Sequence, residues 1–130
     1  KRIGSKQIII SNAEKLGVTP SEVIEDEALK RLKEKKFQKE LSNPDRIILG
    51  GGGSKNEALL NELIKHLKPK GIIVIPLASL NSISKLASIL SSKMYNFYIS
   101  QHQSYRGVPL VDDTRLSPLN PVFILKGKSQ

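Results

Sequence analysis

A run of four glycines, Gly50 to Gly53, stands between the apolar triplet Ile47-Ile48-Leu49 and a segment whose Leu59, Leu60, Leu63, Ile64 and Leu67 fall on one helical face. Few local structures accommodate that order. A short, continuous apolar run suits a strand buried on both faces. The glycines permit a backbone turn that side chains would obstruct, and Ser54 can cap the helix that follows. Pro69-Lys70-Gly71 ends that helix, and Ile72-Ile73-Val74-Ile75 reads as a second buried strand. Strand, helix and strand in this sequence predict an α/β chain with a largely parallel sheet.

The remainder of the chain extends the pattern. Ser79 can cap a helix with Leu80, Ile83, Leu86, Ala87 and Leu90 on one face. Tyr95 to Ser100 reads as a strand, Gln101 to Leu119 as a polar loop, and Asn120 to Leu125 as a last strand, with Pro121 at its start where proline is tolerated. No helix separates these last two strands, so one of them is expected to run antiparallel. Upstream, residues 2–16 read as a helix stopped by Gly17. Val23-Ile24 reads as a strand or a first helical turn, and Ala28 to Leu41 as a polar surface helix ended by Ser42-Asn43-Pro44.

With 130 residues, the chain suits one domain able to bury a real core. Its hydrophobic content of 38% excludes a disordered chain. The absence of cysteine excludes a disulfide scaffold, a zinc ribbon and a thiol nucleophile. No apolar run approaches the roughly 20 residues of a membrane span and no signal-peptide core opens the chain, so a cytoplasmic address is expected. The chain starts Lys1-Arg2-Ile3, and Met94 is its single methionine, which suits a piece of a longer protein.

The net charge of +9 suits a polyanionic partner: nucleic acid, anionic lipid or a small polycarboxylate. It is densest at Lys30, Arg31, Lys33, Lys35, Lys36 and Lys39, opposed within that stretch by Glu34 alone. A solvated helix face explains the same patch without any partner.

The glycine run is where a ligand is expected. In an open parallel sheet ligands sit beyond the carboxyl ends of the strands, and a following helix N-terminus offers N–H groups to an anion. A merely tight turn is the competing reading. The phosphate-loop pattern fails, because Ser54-Lys55 has the wrong order and spacing. The dinucleotide pattern fails too, needing glycine where Lys55 stands. His66 and His102 have no partner at metal-ligand spacing and read as surface residues, so no metal site is expected. Asp112-Asp113 suits a turn. The residue pattern singles out no catalytic group.

The run Asn43-Pro44-Asp45-Arg46-Ile47-Ile48-Leu49-Gly50-Gly51-Gly52-Gly53-Ser54 resembles the P-D-R-I-F-I-G-G-S-G-G segment of the decarboxylating precorrin carbon-15 methyltransferases of cobalamin biosynthesis. Leu67 to Val74 resembles their L-K-P-G-G-R-I-V, and Asn120-Pro121-Val122-Phe123-Ile124 their N-P-V-F-I. Asn12 to Gly17 and Ile24 to Ala28 resemble their N-x-x-x-x-G and E-G-D-A. The likeness covers nearly the whole chain.

The resemblance implies a class I S-adenosylmethionine-dependent methyltransferase fold, Rossmann-like, with strand order 3-2-1-4-5-7-6 and strand 7 antiparallel. Residues 46–126 should hold the neighbours 4-5-7-6. Aligned this way, Lys1 falls just after the acid that ends strand 2. Strands 1 and 2 are then absent, Glu22–Glu25 is the candidate third strand, and residues 1–130 are the C-terminal part of one methyltransferase domain.

The implied reaction is methyl transfer from S-adenosyl-L-methionine to a ring carbon of a precorrin, with decarboxylation of an acetate arm. The positions matching cofactor contacts are Glu27, Ala28, Gly50, Gly51 and Gly52, with Ala28 near the adenine. Departures are Asp26 for Gly, Glu27 for Asp, Gly52 for Ser, Ser54 for Gly, and Asn81 where members often have Glu. Catalytic residues are not indicated. A polycarboxylate tetrapyrrole fits the positive charge, and a homo-oligomer is the expected assembly, with neither membrane nor nucleic acid as partner. The alternatives are a same-fold RNA methyltransferase, which the N-P-V-F-I ending opposes, and a non-catalytic basic binding module.

Overall fold

The computed structural model describes residues 4–40, 43–50, 53 and 55–130. In chain order the elements are helices α1 (Ser5–Lys15), α2 (Ala28–Lys33) and α3 (Lys35–Glu40), strand β1 (Arg46–Ile48), α4 (Asn56–His66), β2 (Ile72–Leu77), α5 (Leu80–Lys93), β3 (Asn96–His102), β4 (Tyr105–Leu110), β5 (Asp113–Pro118) and β6 (Val122–Lys128).

One sheet has the order β1-β2-β6-β3. β1 and β2 are parallel, with Ile48 opposite Val74, as the intervening helix α4 requires. β6 runs antiparallel to both β2 and β3, with Leu125 opposite Ile75 on one side and Ile99 on the other. This is the expected 4-5-7-6 neighbourhood with one reversed strand. Pro76 lies in β2 opposite Ile124.

The core lies on one face of this sheet. Side chains alternate along β2, burying Ile73, Ile75 and Leu77. Against them and Leu125 pack Leu60 of α4 and Ile83, Leu86 and Leu90 of α5. Ser79 caps α5 as expected, its hydroxyl accepting the Ser82 N–H at 3.5 Å. Gly127 leaves room for the α5 end: a Cβ there would sit 2.8 Å from Met94 Cγ. α2 packs on the outer side of α4 and buries Leu32.

Three expectations need correction. No strand forms over Glu22–Glu25; the segment is irregular, and the Glu25 carboxylate accepts hydrogen bonds from the Gly4 N–H at 3.0 Å and the Ser5 hydroxyl at 3.4 Å. Among the described residues no strand pairs with it, and four carboxylates crowd residues 22–27. The polar helix from Ala28 is two short helices, α2 and α3, because Glu34 takes an extended conformation at ψ 119. The polar loop from Gln101 to Leu119 instead lengthens β3 to His102 and then forms a β4–β5 hairpin. The hairpin turns at Val111, which takes φ 33, and the Asp113 carboxylate accepts the Thr114 N–H at 2.6 Å. Ser54, expected to cap α4, lies outside the described residues; Lys55 precedes α4 without a side-chain cap.

α1 ends as expected at Gly17, at φ 66, with the Val18 N–H donating to the Ala13 carbonyl and the Gly17 N–H to Glu14, a Schellman stop. α1 buries no residue, and Ile8 and Leu16 are exposed.

The turn between α4 and β2 ties the start of β2 to the end of β6. The Lys70 N–H donates to the Gln130 carbonyl, the Ser129 N–H to the Gly71 carbonyl, and the Ser129 hydroxyl to the Lys68 carbonyl at 2.6 Å. A Cβ on Gly71 would lie 2.7 Å from both Leu67 Cγ and the Lys68 carbonyl oxygen. Backbone cannot yield as a flexible side chain does. Gly71→Ala is therefore expected to cost on the order of 1–3 kcal/mol, read as a lowered urea midpoint; an unchanged midpoint would show that the turn relaxes freely.

Candidate functional site

Three chain segments meet at the carboxyl end of the parallel pair. The first leaves β1 at Leu49, whose N–H donates to the Val74 carbonyl at 2.9 Å and whose side chain is buried. Gly50 follows, exposed, and a Cβ added there or at Gly53 would meet nothing within 4 Å. A ligand can therefore approach the backbone at both positions. Gly51 and Gly52 lie outside the described residues. The Gly53 carbonyl accepts the Asn56 N–H at 3.2 Å, and α4 begins.

The second segment is the turn before α2. Glu27 takes an extended conformation at ψ 111, and its N–H donates to the Asp26 carboxylate at 2.7 Å. Its own carboxylate meets Lys55 Nζ at 3.5 Å, which ties this turn to the start of α4 beside the glycine run. The structure thus brings Glu27 next to the segment that carries Gly50, although the two are far apart in sequence. Ala28, at the start of α2, borders a cavity of about 240 Å³ with mainly apolar walls, including Ile24, Leu32, Phe37 and Leu63. Arg31 closes one side, its guanidinium 5.0 Å from the Phe37 ring centroid and 2.8 Å from the Glu34 carboxylate. That turns one cation of the dense basic stretch inward, while Lys30, Lys33, Lys35 and Lys36 are exposed.

The third segment joins β2 to α5. With the first turn of α4 it encloses a cavity of about 390 Å³, bordered by Gly53, Asn56, Glu57, Ser79, Asn81, Ser82, Lys85 and the fully buried Leu86. Lys85 Nζ reaches the Glu57 carboxylate at 3.1 Å. The residue pattern gave no signal for Glu57 or Lys85, because they sit on different helices separated by β2 and neither belongs to a motif.

The histidines lie away from these segments. His102 is exposed and shares a 2.9 Å hydrogen bond with the Ser100 hydroxyl. His66, in the last turn of α4, is half-buried beside Glu62, at 3.8 Å. Among the described residues no group of three or more His, Cys, Asp or Glu could hold a metal ion.

This geometry has known counterparts. A family model described as a precorrin methyltransferase domain matches residues 2–127. The chain belongs to the precorrin methyltransferase domain family. A curated member from Pyrobaculum calidifontis, named a probable cobalt-precorrin-6B C(15)-methyltransferase (decarboxylating), is 32% identical over 114 residues, which is 88% of this chain and 55% of the relative. The chain spans a little more than half the length of the curated relatives it matches.

Among solved structures, a precorrin 8w decarboxylase from Methanobacterium thermoautotrophicum superposes with a TM-score of 0.82 at 20% identity, covering 97% of this chain and 65% of that one. An S-adenosylmethionine-dependent O-methyltransferase from Thermotoga maritima superposes with a TM-score of 0.63 at 15% identity, covering 96% of this chain and 46% of that one. The fold is that of the class I S-adenosylmethionine methyltransferases, represented here by part of its sheet. Within this precorrin methyltransferase domain, the expected positions Glu27, Ala28 and Gly50 all lie at the carboxyl end of the parallel strands.

One carboxylate of the domain has a displaced titration. The Lys65 ammonium donates to Glu62 at 2.8 Å and holds its pKa below the ordinary carboxylate value, against the opposing effect of partial burial. The charges of Lys65, His66 and Lys33 add to the lowering. A group depressed in the folded state contributes stability that is present above its unfolded-state pKa and is lost as pH falls through its folded-state pKa. Glu62→Gln is thus expected to lower the urea midpoint near neutral pH, with the gap to the parent closing in acid. A gap that does not change with pH would remove the electrostatic explanation.

Proposed function

We propose that this chain is the C-terminal part of a single S-adenosylmethionine-dependent methyltransferase domain that methylates carbon 15 of a precorrin with decarboxylation of an acetate arm. The observation that carries the reading is the juxtaposition of the Glu27–Ala28 turn with the open backbone at Gly50, linked through Lys55, in a chain of this family. The curated relatives bear the name of that reaction.

In this reading Glu27, Ala28, Gly50, Gly51 and Gly52 hold S-adenosyl-L-methionine. The residues present fit it: the absence of a side chain at Gly50 leaves the space open, and Ala28 is small. When bound, the cofactor supplies an already activated methyl group. The task left to the protein is to orient the reactants and supply a fitted electrostatic environment, which requires neither a thiol nor a metal ligand set. The positive charge of the chain attracts the carboxylates of a tetrapyrrole substrate. The reading also places the protein in the cytoplasm; no helix of the described residues is long and apolar enough to cross a membrane. The β4–β5 hairpin, with Leu110, Val111 and Leu116 exposed, supports a homo-oligomer.

The intact protein should bind S-adenosylmethionine in a calorimetric titration and convert cobalt-precorrin-6B to a product that has gained a methyl group and lost carbon dioxide, read by mass spectrometry. Methylation of RNA in place of the corrinoid would establish the same-fold alternative, and absence of cofactor binding would leave a basic binding module. Gly50→Val should weaken cofactor binding about tenfold or more, or about 1.4 kcal/mol, without lowering the urea midpoint to a comparable degree, since a Cβ there meets nothing within 4 Å. Equal affinity would reduce the glycine run to a turn. Substrate binding should weaken as salt rises, because exposed charges are screened over about 8–10 Å at physiological ionic strength.

A further inference from the structure

The cavity between the first turns of α4 and α5 has no place in the cofactor contacts named above. It contains one cation, Lys85, and that cation is held by one anion, Glu57, at 3.1 Å. Both side chains are about half exposed, at 53% and 50%, so the pair is open to exchange. Exposed ion pairs of this kind are weak, and a competing carboxylate can displace one. The rest of the polar wall offers donors: the Ser79 and Ser82 hydroxyls and the Asn81 amide, with no acidic residue in the first turn of α5. The floor is the buried Leu86. The cavity opens at the carboxyl end of the parallel pair, on the same side of the sheet as Gly50 and beside Gly53.

A volume of about 390 Å³ is too small for a whole tetrapyrrole and large enough for one carboxylate arm and the ring edge that bears it. We propose that Lys85 is a specificity residue that binds one carboxylate arm of the tetrapyrrole, with Glu57 holding the ammonium in place until the substrate carboxylate replaces it. This deepens the methyltransferase reading and rests on it. It gives the Glu57–Lys85 pair a directional role. Glu57 competes with the substrate, so removing its charge strengthens substrate binding, whereas removing the charge of Lys85 weakens it. A pair that only bridged α4 and α5 would weaken binding, or leave it unchanged, whichever partner were neutralised.

The test titrates the intact protein with uroporphyrin, an octacarboxylate tetrapyrrole, by tyrosine fluorescence, and with S-adenosylmethionine by calorimetry. Lys85→Gln is expected to raise the Kd for uroporphyrin about tenfold, Lys85→Arg to restore it to within about threefold, and Glu57→Gln to lower it. S-adenosylmethionine affinity stays the same in all three. The proposal is overturned if Lys85→Gln binds uroporphyrin as the parent does, if Lys85→Arg is as weak as Lys85→Gln, if Glu57→Gln weakens binding, or if the parent binds cofactor but no uroporphyrin. Failure of the parent to bind S-adenosylmethionine would overturn the underlying methyltransferase reading as well.

Discussion

The parallel pairing of β1 with β2 is the constraint on which the rest of the domain depends. It spans only Arg46 to Ile48 on one side and Ile72 to Val74 on the other, too few hydrogen bonds to hold alone. Its rigidity comes from beneath, where Ile73, Ile75 and Leu125 meet Leu60, Leu86 and Leu90 on two helices. Because α4 connects the two strands and α5 follows the second, both helices must start at the carboxyl end of the pair. Gly50, Gly53, Asn56 and Ser79 are therefore neighbours by topology, and the apolar contacts below keep them so.

What could be read from the residues alone follows from where the apolar groups are. Ile47 to Leu49, Ile72 to Ile75 and Val122 to Leu125 lie in one sheet, and continuous apolar character is a signal that survives without tertiary context; it overstates burial at Ile48 and Val122, which are exposed because the core covers one face of the sheet. The β4–β5 hairpin escaped because its sides are almost wholly exposed: Arg106, Thr114 and Arg115 look like loop residues, and the pairing is held by backbone. Val23-Ile24 misled in the opposite sense, since apolar residues without a partner strand make no sheet. The structure brings Glu27 beside the segment that carries Gly50, and in the sequence only the family resemblance singles out Glu27 and Ala28. Glu57 and Lys85 could not be read, because helical neighbours brought together across a strand leave no spacing rule in the sequence.

The basic character of the chain is distributed unevenly by the fold. Arg31 is drawn against Phe37 and Glu34, and Lys55 against Glu27, so these two cations serve to shape the site. The lysines of the α2 and α3 surface, among them Lys30, Lys35 and Lys36, stay in solvent. The break at Glu34 between the two helices makes this division possible, since a single straight helix would not bring Phe37 back under Arg31.

Pro76 has an effect beyond its own strand. The hydrogen bonds between β1 and β2 step regularly: Ile72 N–H to Asp45 carbonyl, then Leu49 N–H to Val74 carbonyl. The next rung in that register would run from the residue 76 N–H to the Leu49 carbonyl, and proline has no hydrogen to give. The seam between the two strands therefore cannot zip past Leu49. Proline in a central strand is ordinarily a defect. Here it acts as a stop on the zipper, ending the donation from β2 at the rung before Gly50, whose backbone is left exposed.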